Sequence, residues 1–381
     1  MTRRVCMLLP AHCSALMGGA EYQAKLLAEH LVKNYDVEIS YLTTRSDPDY
    51  RAPGYEIVRF STHRGIRRYG TFFDAYRLYR ALDRLKPDII YQQVGCAHTG
   101  IAAFYALRND CTMVWRVSSD RSVVPTKINW WRRPHHWIER AFLEYGIKRA
   151  HVVLAQTRAQ QGHLAARFGR DDALLVQNFH LEVPEPVRRN DLKRVVWIGN
   201  LKVLKNPQAF VRLAQRYSDR PDVELVMIGA TSDSTSWTNE ALDLIRSTAN
   251  LKYLGALTQE QVNAELESAR VLVNTSDYEG FPNTFIQAWL RGVPVVSLHA
   301  DPDALLSAEG LGLVSHTEEQ LYANVTSLLE APELAKRMGE RCRAYGVRSH
   351  SMANADRVAR ILRLSCRESC DLLGELSCVS P

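Results

Sequence analysis

Short apolar runs rich in β-branched residues alternate with helical segments along this chain, and this alternation restricts its fold more than any other feature. One series of runs begins at Val5, and a second series begins at Arg194. Strands that read as continuous apolar runs between helices are typical of a parallel sheet covered on both faces. The restart predicts two such sheets, and a chain of 381 residues suits two domains better than one.

The expected elements fall into two similar sets. The strands of the first set are Val5–Leu9, Val37–Leu42, Ile89–Gln92, Thr112–Val117 and Val152–Ala155, and its helices include Ala20–Lys33, Tyr69–Leu85 and Gly100–Leu107. The strands of the second set are Val195–Ile198, Glu224–Ile228, Lys252–Tyr253, Val271–Asn274 and Val295–Ser297. Apolar residues at helical spacing predict a terminal helix over Ser349–Leu364.

The stretch Asn178–Asn190 contains Pro184 and Pro186 and is interpreted as a linker. The predicted fold is therefore α/β, with two doubly wound, Rossmann-like domains facing across a cleft. The predicted parts are an N-terminal domain, a C-terminal domain, and a terminal helix and tail that packs back on the first domain, at residues 1–183, 184–348 and 349–381. Because ligands collect at the carboxyl ends of parallel strands, the site is expected in the cleft.

The N-terminus and the cysteines favour a cytoplasmic protein. Two arginines and an apolar run resemble a signal peptide, but Pro10 and His12 interrupt the run, so a buried first strand is expected instead. No apolar run approaches the length of a membrane-spanning helix. The eight cysteines form no CxxC pair and no zinc-type spacing with histidine, which favours reduced thiols.

The run Asp277–Val296 carries the strongest chemical signal. Gly280 lets the backbone approach a ligand closely, Pro282 marks the start of a helix, and Gly292 marks its end. The free N–H groups at the start of this helix form an anion site suited to phosphate. Glu279 stands just before the helix, where a carboxylate can accept hydrogen bonds from sugar hydroxyls.

This run resembles the signature of the family 4 retaining glycosyltransferases (glycosyltransferase group 1, GT-B fold), a Glu followed by seven residues and a second Glu. Here the first Glu is Glu279, and Gln287 holds the second position, with an acceptor oxygen but no charge. The resemblance implies that Glu279 contacts donor-sugar hydroxyls, that Gln287 contacts the ribose, and that loop amides hold the sugar and phosphate. The loop residues in question are Gly280, Phe281, Pro282, Asn283 and Thr284.

Three further segments resemble donor-binding parts of the same family. Gly18 and Gly19, after the first strand, match its glycine loop, whose backbone faces the donor phosphates. Asn200, four residues and Lys205 stand where the family carries Arg, four residues and Lys. Lys205 would neutralise the leaving diphosphate as a point charge. Gly229 ends a strand that resembles the wall of the nucleotide-base pocket.

The acceptor side departs more from the family pattern. Gln93 stands where many members show a histidine, His98 lies nearby, and Ser118 holds the place of another histidine, beside Asp120. We name these four as acceptor-side candidates and assign no general base. The mechanism that the resemblance implies needs none, because the leaving diphosphate itself takes the acceptor proton while the protein stabilises charge and positions the reactants. No metal or other cofactor is expected, since basic donors take the cation's place.

The first half of the chain is basic. Residues 1–185 carry 26 Lys and Arg against 18 Asp and Glu, whereas the remainder is near neutral. Residues 59–86 and 121–149 combine basic side chains with several aromatic ones, a combination that suits an anionic membrane surface presenting a lipid-linked acceptor. A solvated basic face with core aromatics is the alternative. Nucleic acid fits less well, because no reading motif accompanies the charge.

The resemblance implies a retaining glycosyltransferase that moves a sugar from a UDP- or GDP-linked donor to a saccharide or lipid-linked acceptor. The implied setting is synthesis of a cell-surface polysaccharide or glycolipid, in the cytoplasm or on the inner face of the membrane. Two alternatives stay open. One is a non-catalytic nucleotide-sugar-binding partner, motivated by Gln287, Asn200 and Ser118. The other is a nucleotide-sugar epimerase on the same fold, which would need acid/base carboxylates and histidines in the first half.

Overall fold

The chain divides into two compact units. A computed structural model describes residues 2–61, 74–124, 134–183, 193–231 and 236–366. Unit 1 comprises residues 1–178 and 353–381, and unit 2 comprises residues 179–352. The domain boundaries predicted from the sequence lie a few residues from these divisions. The prolines of the predicted linker and the tail after residue 366 fall outside the described residues.

Unit 1 contains one parallel sheet, whose apolar strands are covered by helices. Its strands are β1 (Arg3–Leu8), β2 (Val37–Thr43), β3 (Glu56–Arg59), β4 (Ile89–Gln93), β5 (Thr112–Arg116), β6 (Val152–Ala155) and β7 (Leu174–Leu175). The helices between them are α1 (Gly19–Asn34), α2 (Ala75–Leu85), α3 (Ala97–Ala106), α4 (Pro134–Arg149) and α5 (Arg158–Phe168). The strands lie in the order β3-β2-β1-β4-β5-β6-β7.

Unit 2 contains a second parallel sheet. Its strands are β8 (Lys193–Ile198), β9 (Val223–Ile228), β10 (Leu251–Tyr253), β11 (Val271–Asn274), β12 (Val295–Ser297) and β13 (Gly312–Val314). Its helices are α6 (Pro207–Gln215), α7 (Ser236–Ser247), α8 (Gln259–Glu267), α9 (Asn283–Leu290), α10 (Leu305–Ala308), α11 (Glu318–Glu330) and α12 (Pro332–Ser349). The strands lie in the order β10-β9-β8-β11-β12-β13.

Both sheets have the strand order of a doubly wound nucleotide-binding fold. The order reverses between β1 and β4 in unit 1 and between β8 and β11 in unit 2. In such sheets a ligand binds outside the carboxyl ends of the strands at this switch point. The predicted α/β fold with two doubly wound sheets is confirmed, and the switch points are where functional side chains are to be sought.

Each strand expected from the sequence is present, with ends that differ by no more than two residues. Three further strands, β3, β7 and β13, were not predicted. They are short and partly exposed, so they show no continuous apolar run. Helix α3 begins at Ala97 rather than at Gly100, and the start predicted for the second helix, at Tyr69, lies outside the described residues.

The prediction of one helix over Ser349–Leu364 is wrong at its start. Ser349 ends α12, and a separate helix, α13 (Ala353–Ile361), follows after a short break. Helix α13 packs within unit 1, where its Asp356 lies 2.5 Å from His30 Nε2 and accepts a hydrogen bond of 2.9 Å from the Tyr35 hydroxyl. The C-terminal helix is thereby joined to the first sheet by polar contacts as well as by apolar packing.

No helix within the described residues combines the length and the apolar character needed to cross a membrane. The described cysteines all carry free thiols. They are Cys6, Cys13, Cys96, Cys111, Cys342 and Cys366.

Candidate functional site

Lys205 and Glu279 form an ion pair at the carboxyl edge of the unit 2 sheet. Lys205 ends a 3-10 turn that follows β8, and Glu279 lies in the loop between β11 and α9. Because β8 and β11 are neighbours at the switch point, their two loops meet there. Lys205 Nζ donates to Glu279 Oε1, and the two side chains are 27% and 12% exposed. The structure thus brings together the two residues predicted to be catalytic.

Hydroxyl side chains hold this pair in place. Ser276 Oγ donates to the same Glu279 oxygen, Oε1, at 2.6 Å. Thr275 Oγ1 donates to the Lys205 carbonyl at 2.8 Å and accepts from the Trp197 indole at 2.8 Å. Both hydrogen bonds of the Glu279 carboxylate use Oε1, and no group among the described residues bonds Oε2. Oε2 is therefore an acceptor available to a ligand hydroxyl.

Backbone contacts fix the two loops against each other. The Asp277 N–H donates to the Leu204 carbonyl at 3.0 Å. Asn206, which follows Lys205, adopts a φ of +44°, a left-handed conformation that Asn tolerates better than most residues. This conformation ends the 3-10 turn and starts α6 at Pro207. The position of Lys205 is therefore set by the backbone as well as by its partner.

The helix after Glu279 begins as the sequence predicts. Pro282 is the N-cap residue of α9, which starts at Asn283, and Gly292 just beyond its end has a φ of +63°. Phe281 is buried, with its ring 6.1 Å from that of Trp289 and 5.0 Å from that of His350. These contacts hold the Phe281 ring in the core, so Phe281 offers a ligand its backbone rather than its side chain. Gly280, Asn283 and Thr284 are half-buried at the same edge.

Gly229 has a packing role that the sequence does not reveal. A Cβ at Gly229 would collide with the Gly199 carbonyl oxygen, one residue before Asn200. The Gly229 N–H donates to the Gly255 carbonyl at 2.8 Å, and its own carbonyl accepts from the Tyr253 hydroxyl at 2.8 Å. Gly229 thus lets the turns after β8, β9 and β10 pack backbone to backbone, and this packing supports the half-buried Asn200.

Gln287 lies one turn into α9 and is only 4% exposed. Its Nε2 donates to Asn263 Oδ1 of α8 at 3.2 Å. Four residues further along the chain in each case, Arg291 Nε at the end of α9 lies 3.4 Å from Glu267 Oε1 of α8. The position where the family has a second Glu is therefore part of a neutral amide pair next to an ion pair.

The glycine pair of unit 1 stands at the start of α1. Gly18 is the N-cap residue and Gly19 the first helical residue. The Glu21 carboxylate lies against Gly18, so a Cβ at this position would collide with it. Since α1 follows β1, both glycines lie at the carboxyl side of the unit 1 switch point, where the sequence predicts them.

Gln93 ends β4, the other strand of the unit 1 switch point, and His98 lies in the first turn of α3, which follows it. Gln93 is fully buried, and neither amide atom has a partner among the described residues. The next residue, Val94, has a φ of +74°, which a β-branched residue adopts only under strain. His98 Nε2 lies 3.4 Å from Asp74 Oδ2. Strain beside a buried, unpaired amide is typical of a functional position.

The charge state of His98 is set by its neighbours. Burial alone lowers the pKa of the imidazole, but Cys96 and Asp74 favour its charged form more strongly and raise the pKa to about 10. The contact with the Asp74 carboxylate makes Nε2 the donating nitrogen of the His98 ring.

The remaining acceptor-side candidates follow β5. Ser118 is half-buried, and Asp120 Oδ1 accepts a hydrogen bond of 2.6 Å from Gln160 Nε2. Because β4 and β5 are paired, the four candidates lie at the carboxyl ends of neighbouring strands. They therefore share one edge of the sheet.

Sequence reasoning missed several residues that support the site. Thr275 and Ser276 directly follow β11, so hydroxyls at a strand end were the available signal. For Asp74 and Asn263 the sequence contains no such signal. Each contacts a residue that lies in a different helix or turn. Within the described residues no group of three or more His, Cys, Asp and Glu side chains could hold a metal ion. That no metal is needed stays a prediction.

Comparison with known families matches each of the two units to a glycosyltransferase family. The family described as "Glycosyltransferase Family 4" matches residues 17–179, and the family described as "Glycosyl transferases group 1" matches residues 192–331. The chain belongs to the group 1, family 4 glycosyltransferases. The resemblance inferred from Glu279 and its neighbours is therefore confirmed.

Individual relatives of this glycosyltransferase are distant. It is 24% identical over 158 residues to "Glycosyltransferase 1 domain-containing protein 1" of Xenopus tropicalis, covering 41% of this chain and 46% of the relative. It is 31% identical over 108 residues to the "Vi polysaccharide biosynthesis protein VipC/TviE" of Salmonella typhi, covering 28% of this chain and 18% of the relative. The chain thus spans less than half the length of these curated relatives.

Solved structures share the fold. The structure of Anabaena Alr3699/HepE in complex with UDP and glucose has a TM-score of 0.73 and 14% identity, over 95% of this chain and 99% of that one. This likeness establishes the GT-B fold for the glycosyltransferase.

Proposed function

We propose that this glycosyltransferase moves a sugar, with retention of configuration, from a nucleoside diphosphate sugar to a saccharide or lipid-linked acceptor. The observation that carries the proposal is the Lys205–Glu279 pair at the unit 2 switch point, directly before α9. An ammonium and a helix N-terminus together suit a diphosphate. The complex of the Anabaena protein with UDP and glucose supports a UDP-linked donor.

In this mechanism unit 2 binds the donor. The diphosphate lies on Lys205 Nζ and the N–H groups of Gly280, Phe281, Asn283 and Thr284, since Pro282 has no N–H. Glu279 Oε2 accepts from donor-sugar hydroxyls. The bond between the anomeric carbon and the phosphate oxygen breaks, and the acceptor oxygen forms a bond to that carbon on the same face. The acceptor proton passes to the departing phosphate oxygen. The protein contributes fixed charges and hydrogen-bond donors where negative charge develops.

Unit 1 binds the acceptor in this proposal, through Gln93, His98, Ser118 and Asp120. These polar groups lie at the carboxyl ends of β4 and β5, and hydrogen-bonding side chains suit hydroxyl groups rather than a purely apolar ligand. The Salmonella relative, named for Vi polysaccharide biosynthesis, supports a role in making a cell-surface polysaccharide or glycolipid.

Incubation with a panel of UDP- and GDP-sugars tests this function. We expect one nucleotide to raise the melting temperature, because a ligand that binds only the folded state stabilises it. With acceptor, free nucleotide should appear together with a product that keeps the donor's anomeric configuration. Interconversion of the donor sugar would indicate the epimerase instead, and binding without turnover would indicate a non-catalytic partner. An inverted product would contradict retention alone.

We also propose that unit 1 docks on an anionic membrane. Tyr76 on α2 and Trp137 on α4 are 74% and 64% exposed, within the two basic stretches noted in the sequence. Arg108 lies over the exposed ring of Phe104 on α3, 4.3 Å from its centroid. Aromatic side chains beside arginines are typical of proteins that bind the headgroup region. Parts of both stretches, residues 62–73 and 125–133, lie outside the described residues.

Vesicle flotation tests the docking. The protein should float with phosphatidylglycerol vesicles at about 50 mM salt, stay unbound with phosphatidylcholine, and be released near 0.5 M salt, because screening weakens charge attraction. Trp137→Ala should reduce binding several-fold, whereas Leu334→Ala, an exposed apolar residue of unit 2, should not. Absence of binding to anionic vesicles at low salt would remove this proposal and leave a solvated basic face.

A further inference from the structure

The Glu279 carboxylate stands at the end of a chain of hydrogen bonds that begins on Asn274. Asn274 ends β11 and is 6% exposed, and its Nδ2 donates to Ser276 Oγ at 3.3 Å. Ser276 is 1% exposed and donates in turn to Glu279 Oε1 at 2.6 Å. The proposed mechanism gives Asn274 no role, yet this buried amide is only two hydrogen bonds away from the carboxylate that binds the donor sugar.

The orientation of the Asn274 amide follows from its neighbours. Its Oδ1 lies 3.2 Å from the backbone nitrogen of Ser276, whose N–H can only donate, so this end of the amide is the oxygen. Ser297, the paired residue of β12, donates to the same oxygen through its Oγ at 3.5 Å. The other end of the amide is therefore the NH₂ group, and it faces Ser276 Oγ.

The direction of the hydrogen-bond chain is fixed as well. Because an amide nitrogen only donates and a carboxylate only accepts, Ser276 Oγ accepts from Asn274 and directs its single proton to Glu279. Lys205 Nζ donates to the same carboxylate oxygen, Oε1. Two donors on one oxygen hold the plane of the carboxylate, so the other oxygen, Oε2, keeps one position.

We propose that Asn274 is a positioning residue for sugar transfer, which acts through Ser276 to direct Glu279 Oε2 towards a hydroxyl of the donor sugar. This rests on the proposed function, in which Glu279 accepts from the donor sugar. An amide suits the role because its two ends differ. The oxygen holds the backbone at Ser276, and the NH₂ group sets the direction in which the Ser276 hydroxyl donates.

Asn274→Asp tests the proposal with almost no change of shape. The new carboxylate still accepts from the Ser276 N–H but cannot donate, so the Ser276 proton turns towards position 274 and Glu279 loses a donor. Initial rates of nucleotide release are measured on the full-length protein with UDP-glucose or, if that is not turned over, with the member of the UDP- and GDP-sugar panel that is. We expect kcat/KM to fall about tenfold, the worth of one hydrogen bond.

Deoxy forms of the donor sugar distinguish positioning from support of the fold. Each form lacks one hydroxyl, and for the form without the hydroxyl that Glu279 binds, the loss caused by Asn274→Asp should shrink to less than about twofold. The other deoxy forms should keep the full loss. A variant that only weakened the loop would lower the rate by the same factor with every donor.

A neutral variant and a matched control complete the experiment. Asn274→Leu adds no charge and should show a smaller loss with the same dependence on the donor. Combined with Ser276→Ala, it should cost no more than Ser276→Ala alone. Asn324→Asp is the control, because Asn324 Nδ2 also donates to a serine hydroxyl, that of Ser315, at 3.0 Å, but after β13, two strands away from β11. Its rate should match that of the unaltered protein.

Two outcomes would overturn the role of Asn274. One is an equal loss with every donor, and the other is a pair of losses that add in the double variant; either would leave Asn274 as a support of the fold. Near-normal rates in Glu279→Ala would instead overturn the proposed function on which this role depends.

Discussion

Replacing Lys205 by Ala should lower the rate of sugar transfer about a hundred- to a thousandfold. Lys205 Nζ is the cationic group at the unit 2 switch point, and its removal leaves the leaving diphosphate without a point charge. The loss should appear in kcat as well as in kcat/KM, because negative charge grows as the bond to the sugar breaks. Initial rates of nucleotide release with the natural donor measure it.

Two further variants serve as controls for the Lys205→Ala experiment. Lys205→Arg keeps the charge but not the compact shape, so it should recover only part of the activity. Lys252→Ala removes an exposed lysine of β10 and should leave the rate within twofold of the unaltered enzyme. Should Lys205→Ala and Lys252→Ala show similar, near-normal rates, the diphosphate is not held by Lys205.

Replacing Glu279 should lower the rate of sugar transfer by a similar factor but should not weaken binding of the free nucleotide. Glu279→Ala should weaken transfer about ten- to a thousandfold, because the free Oε2 no longer accepts from the donor sugar. Binding of the nucleotide diphosphate without its sugar should stay the same or become tighter, since Lys205 loses its partner and becomes free to contact phosphate. Lys205→Ala should weaken that binding. Titration of each variant with UDP or GDP distinguishes the effect of Glu279→Ala from that of Lys205→Ala.

A conservative variant and a control sharpen the Glu279 experiment. Glu279→Gln keeps the shape and one acceptor oxygen, so it should retain more activity than Glu279→Ala. Glu309→Gln removes an exposed carboxylate after α10 and should behave as the unaltered enzyme. Equal loss of sugar-nucleotide and free-nucleotide binding in Glu279→Ala would show that Glu279 supports the fold of the loop instead of contacting the sugar.

The main parts of the fold are predictable because they depend on buried apolar runs. Strands such as β5 and β11 are enclosed on both faces and contain the β-branched residues that signal this. The edge strands β3 and β7 lack that signal because they are half exposed. The break between α12 and α13 was missed because apolar spacing continues across it, and the structure shows that its two sides belong to different units.

The candidate site likewise has features that the sequence predicts and features that it does not. Lys205 and Glu279 could each be assigned to the donor site from the sequence, and topology brings their loops together because each follows a strand at the switch point. Their ion pair was not predicted. The contacts of Trp197 with Thr275 and of Gln287 with Asn263 could not be predicted. They depend on which faces of two helices or loops meet, and no spacing in the sequence encodes that.

A crystal structure with a bound nucleoside diphosphate sugar tests the assignment of the site most directly. The diphosphate should lie within hydrogen-bonding distance of Lys205 Nζ and of the N–H groups that precede α9, with the sugar hydroxyls on Glu279 Oε2. A nucleotide bound away from the start of α9, with the Lys205–Glu279 pair untouched, would contradict it.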